Sequence, residues 1–158
     1  MEYVIQNVPY VAQDGVTTCW KASYKMMLKY RKLDVSAADN LPASQAMERE
    51  GIKDYQFETC RTKLGLTSTN YKCFNTADNI EYMLRMYGPV WVSGFYCNGS
   101  KHIVVLRGVK DPFVGSAEVL LNDPWRGYKS GVCEPKWYDL QWFVDKMNPV
   151  MYACQHWR

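Results

Sequence analysis

A chain of 158 residues can build one compact domain with a real core and is too short for two ordinary ones. With 47% hydrophobic and 15% aromatic residues it is not a disordered chain. A net charge of +3, with no block of lysines or arginines, makes no case for nucleic acid or an anionic membrane as partner.

The opening MEYVIQNVPYV carries an acid and lacks the long apolar core of a Sec signal peptide. The first strong pattern is TTCWKASYKMMLKYRK. Trp20, Tyr24, Met27 and Leu28 fall at helical spacing, and Thr17 or Thr18 stands ready as a cap. PASQAMERE, entered at Pro42 and closed by Gly51, predicts a second short helix. DYQFETCRTKLG, closed by Gly65, predicts a third. TADNIEYMLRMYG predicts a fourth: Thr76 caps it, Ile80, Met83, Leu84 and Tyr87 share a face, and Gly88 and Pro89 stop it.

After Pro89 the character changes. PVWVSGFY, HIVVLRGV and AEVLLND are rich in β-branched and aromatic residues and bounded by turn formers, so they predict strands. DLQWFVDKM predicts a short helix and PVMYAC a last strand. Helices first and strands afterwards is an α+β order, with helices packed on an antiparallel sheet. No apolar run reaches the ~18 residues of a membrane span. Nothing marks a linker, so residues 1–158 read as one domain.

Six cysteines (Cys19, Cys60, Cys73, Cys97, Cys133 and Cys154) are many for this length. Without a secretion signal or a CxxC pair, most of them read as reduced thiols, several as small core hydrophobes. Cys60, Cys73, Cys97 and a histidine could be assembled into a zinc site only with irregular spacing; no metal or cofactor is expected. Cys19 differs from the rest by its place at the start of a predicted helix. Unpaired N–H groups and the helix dipole there favour a thiolate, the nucleophilic form.

A cysteine nucleophile needs a base and a group to orient that base. Of two histidines, His156 lies third from the end, where fraying is expected. His102 opens the strand-like HIVVLRGV, and Asp123 closes the next strand-like run in LLNDPWRG. If the two runs pair as an antiparallel hairpin, His102 and Asp123 become neighbours. Taken singly, each has a plain reading: a buried thiol, a histidine at a strand end, a turn former before Pro124.

Together, Gln13-x5-Cys19-Trp20, then His102-x-Val104-Val105-Leu106-x-Gly108, then Asn122-Asp123-Pro124-x-x-Gly127 resemble the papain-like cysteine peptidases. The resemblance is closest to the double-glycine leader peptidases of bacteriocin exporters and to the papain-like effector proteases that bacteria deliver into other cells. It spans residues 8 to 127. Where papain has a second cysteine three before the nucleophile, this chain has Val16, as suits a reduced, bacterial-type member. It also lacks a propeptide-like leader or transporter segment.

The resemblance implies that Cys19 attacks a carbonyl carbon, that His102 carries the proton and that Asp123 fixes the imidazole. Gln13 and the Cys19 backbone N–H would hold the oxyanion. Trp20 beside the nucleophile and Trp125 beyond the orienting aspartate would narrow the cleft, favouring small residues such as Gly-Gly before the scissile bond. The implied setting is a monomeric effector or toxin, in the cytoplasm or delivered there, acting on a protein substrate and held in check by an immunity protein. The same groups also suit a side-chain amidohydrolase, a transglutaminase-like toxin, or a stand-alone leader-peptide processing enzyme.

Overall fold

The computed structural model describes residues 1–158. Helices α1 (Cys19–Tyr30), α2 (Ser44–Glu50), α3 (Phe57–Lys63) and α4 (Ala77–Tyr87) all precede Pro89. Strands β3 (Val90–Cys97), β4 (Ser100–Lys110) and β5 (Glu118–Asn122) follow, and α6 (Leu140–Lys146) lies where the sequence predicts it. Three short strands escape the sequence pattern: β1 (Glu2–Val4), β2 (Leu66–Thr69) and β6 (Lys136–Asp139). So does helix α5 (Pro124–Ser130), which Asp123 caps by accepting from the Trp125 N–H at 3.0 Å.

Two local expectations need correction. PVMYAC is not a strand: Asn148 accepts from the Val150 N–H and Ala153 donates to the Val150 carbonyl, so the segment turns. The last strand, β7, is Cys154–Trp157. His156 is therefore not frayed. It sits in β7 opposite Thr67, is buried, and packs its ring 4.4 Å from that of Tyr87. Burial lowers its pKa.

The sheet runs β2-β7-β3-β4-β5-β6, every neighbour antiparallel, and β1 pairs with the far half of β4. Strand β4 is thus flanked along its whole length, and its residues from His102 to Val109 are buried. Helices α1 and α4 pack on β4, and α6 packs on β3, β5 and β6. One hydrophobic core joins helices and sheet, from Ile5 to Trp157.

Its centre is Trp91, which stacks on Tyr24 at 4.8 Å and meets Phe57 edge-on at 5.2 Å. The Trp91 indole donates to the Trp20 carbonyl, and the Tyr24 hydroxyl donates to Gln155. These bonds fix the start of α1 against β3 and β7. No helix is long and apolar enough to cross a membrane.

Candidate active site

Cys19 is the first residue of α1. Thr18 takes the N-cap position, yet its side chain makes no capping bond, contrary to expectation. The N–H groups of the first turn therefore face Cys19 without a side-chain oxygen on them.

His102 comes from β4. Val105 pairs with Asn122 across the β4–β5 ladder, which brings His102 to Asp123, the residue just past the end of β5. Its Nε2–H donates to Asp123 Oδ1 at 2.6 Å, leaving Nδ1 free of that bond, and Cys19 lines the same cleft as His102. Burial opposes charge on this imidazole. Asp123 and the neighbouring Cys19 sulfur outweigh it, and the His102 pKa is pushed up to about 10.

Asp123 is fixed from three sides. One carboxylate oxygen takes His102 and the Trp125 N–H; its carbonyl accepts the Tyr10 hydroxyl. Tyr10 also accepts from the Gly127 N–H at 2.9 Å, and burial pushes its pKa up to about 12. Sequence reasoning missed Tyr10. A tyrosine six residues after a short strand carries no signal of its own. Asn122 is fully buried and points its amide at Pro9 and Met26, away from His102.

Gln13 lies under this arrangement rather than open to it. It is buried, its backbone N–H donates to Pro124, and its amide nitrogen donates to the carbonyls of Gly15 at 2.7 Å and Val16 at 3.3 Å. Its Oε1 is buried without a partner. As arranged, the glutamine shapes the turn that leads into Cys19.

A cleft of about 620 Å³ opens over Cys19 and His102. One wall is Glu50–Tyr55 with Phe57, and the other comprises Ser93, Cys97 and Ser100–Ile103; Val16, Thr17 and Trp125 complete it. Lys101 and Asp54 join the walls in an ion pair of 2.7 Å. Asn148 donates to the other oxygen of Asp54 at 3.0 Å and to Ser93 at 3.2 Å. The first wall is a loop between two helices, and its polar, glycine-bearing composition is the only sequence signal it had.

Trp125 lines the cleft as expected, but Trp20 does not. Trp20 is fully buried, with its indole donating to the Met47 carbonyl at 3.2 Å. The residue after Cys19 is already turned by the helix into the core. All six cysteines carry free thiols, and Cys60, Cys73 and Cys97 do not gather with a histidine into a metal-holding group.

The family described as papain-like cysteine protease AvrRpt2 matches residues 3–148. The chain belongs to the AvrRpt2 family of papain-like cysteine proteases. Among solved structures, this AvrRpt2-family chain is similar to the peptidase domain of Streptococcus ComA, a bifunctional ABC transporter involved in a quorum sensing pathway. The TM-score is 0.62 at 13% identity, covering 96% of this chain and 97% of that one, so the likeness is one of fold. No curated protein matches the chain.

Proposed function

We propose that this chain is a cysteine endopeptidase that cleaves protein substrates after small residues such as Gly-Gly, acting as a bacterial effector or toxin in the cytoplasm of a recipient cell. The observation that carries the reading is a thiol at the N-terminus of α1 lining one cleft together with a histidine that Asp123 holds at 2.6 Å.

In the mechanism, Cys19 Sγ attacks the scissile carbonyl as a thiolate and the carbon–nitrogen bond breaks as His102 protonates the leaving amine. Water, deprotonated by the same imidazole, then releases the acyl group. Asp123 keeps Nε2 protonated and Nδ1 turned to the sulfur. The developing oxyanion is met by the Cys19 backbone N–H. The Gln13 amide joins it by exchanging its long 3.3 Å contact with Val16 for the stronger charge-assisted bond.

The preference for glycine is supported by Trp125 in the cleft wall and by the resemblance to double-glycine leader peptidases. The resemblance to the papain-like effector proteases that bacteria deliver into other cells supports the effector role. The test is to express the wild type and Cys19→Ala in a bacterium and compare the proteomes for new N-termini, alongside a peptide library. Cleavage that needs Cys19 and follows glycine is the expected result. If large side chains are accepted before the bond as readily as glycine, the narrow-cleft part fails and the peptidase remains.

A further inference from the structure

Helix α1 begins with a residue suited to capping that does not cap. Threonine at this position ordinarily has extended backbone and accepts the second or third N–H of the helix, here Trp20 or Lys21. Thr18 instead has φ −108° and ψ 20°. Its hydroxyl donates to Asp14 Oδ1 at 2.7 Å, with a longer contact to the Gly15 carbonyl at 3.2 Å, and accepts from the Gly15 N–H at 3.0 Å.

Asp14 is itself held. It lies 3.5 Å from the ammonium of Lys21, which is only 8% exposed and also bonds Glu48 at 2.9 Å. The Thr18 hydrogen bond keeps the Asp14 carboxyl below its usual range, so the acceptor stays ionised. Asp14 takes no part in the cleft wall.

We propose that Asp14 is a positioning residue that keeps the Thr18 hydroxyl off the first turn of α1, and so keeps the oxyanion site open. The inference rests on the peptidase reading. A capping oxygen would satisfy one of the turn's N–H groups and set its lone pairs beside the place where negative charge develops. Both effects weaken stabilisation of the tetrahedral intermediate while leaving the thiol, the imidazole and the substrate-binding walls in place.

Three variants decide it: Asp14→Ala, Asp14→Asn, and the Asp14→Ala/Thr18→Val pair. Asp14→Ala loses about ten- to a hundredfold in kcat, part of the ~10²–10³ that removal of a whole oxyanion donor costs, with KM little changed. Its affinity for a peptide aldehyde, whose carbonyl oxygen becomes an oxyanion when the Cys19 sulfur adds, falls by a similar factor. Alkylation of Cys19 by iodoacetamide builds no oxyanion and slows far less than kcat, because the cap removes only one of the N–H groups near the thiol. Asp14→Asn, which still accepts from Thr18, retains most of kcat. The double variant, with no hydroxyl left to cap, recovers several-fold over Asp14→Ala.

The proposal is overturned if Asp14→Ala keeps its aldehyde affinity, if alkylation slows in step with kcat, or if the double variant is no better than Asp14→Ala. Amide exchange separates this from the peptidase reading. The Trp20 and Lys21 N–H groups exchange more slowly in Asp14→Ala than in the wild type, whatever the substrate is. Unchanged exchange overturns the capping switch; a wild type that cleaves no peptide overturns the peptidase reading and leaves the exchange result standing.

Discussion

At the scale of single residues, exposure and reactivity separate. Cys133 is the exposed thiol, whereas Cys19 is only half-exposed. Burial pushes the Cys60 thiol up to about 11 and raises Cys154 further. If the pairing with His102 activates Cys19, iodoacetamide at pH 6 labels Cys19 ahead of Cys133, and His102→Asn reverses the order. Peptide mapping by mass spectrometry reads this directly.

His102 also makes a prediction about stability. Its pKa is raised from 6.5 to about 10 in the folded chain, so the stability it contributes is fully present below about pH 6.5. That contribution is lost as pH rises through about 10. The gap in urea midpoint between the wild type and His102→Asn should shrink from pH 7 to pH 10, and a gap that widens would contradict the assigned charge.

The meeting of His102 and Asp123 was legible because each stands near the end of a strand-like run, where position follows from pairing, and Cys19 stood out as the first residue of a helical period. Trp20 was misread for a physical reason. One step along a helix turns a side chain by about 100°, so adjacency to the nucleophile in sequence carried it into the core. Nothing in the residue pattern shows that Thr18 spends its hydroxyl on Asp14.

At the scale of elements, Asp123 serves two structures at once, holding His102 and capping α5. The two duties can be separated. Asparagine is also a good N-cap, so Asp123→Asn should keep the cap's share of stability and lose only that of the His102 pairing, while losing activity because it no longer offers the imidazolium a charge. Asp123→Ala should lose both, with about 0.5–2 kcal/mol of stability gone with the cap. Denaturant curves and kcat/KM on the same two proteins check this.

Gly127 secures α5 from the other side. A Cβ there would stand 2.6 Å from the Ala12 Cβ and 2.9 Å from the Tyr10 ring. Gly127→Ala should therefore push α5 away from Tyr10, cost about 1–3 kcal/mol by overpacking, and lower kcat without touching substrate. Full activity in that variant would show that Tyr10 does not locate Asp123.

The long elements were plain in the sequence, because four helical faces and three β-rich runs each bury enough apolar surface to leave a period. Strands β1, β2 and β6 have three or four residues each, too few for alternation to declare itself. Helix α5 hid behind its cap, since NDPWRG reads equally well as a turn. PVMYAC misled because β-branched and aromatic content does not distinguish a strand from a turn that an asparagine ties down.

At the scale of the whole molecule, the two halves of the chain are interlocked. The first half supplies β1 to the flank of β4 and β2 to the flank of β7. It holds Cys19, while His102 and Asp123 belong to the second half. Separately expressed segments 1–88 and 89–158 should each lack activity, and mixing them should restore it if the β1–β4 and β2–β7 ladders re-form. Active-site labelling of the mixture reads the outcome.

The same arrangement sets an order in time. A ribosome delivers the N-terminal part first, at about 5–20 residues each second. The thiol of Cys19 emerges early and waits, without a base, until β4 and the start of α5 have been made. The strand that binds both β2 and β3 is β7, and it comes last of all. A nascent chain therefore has no complete set of Cys19, His102 and Asp123 until its second half has been made.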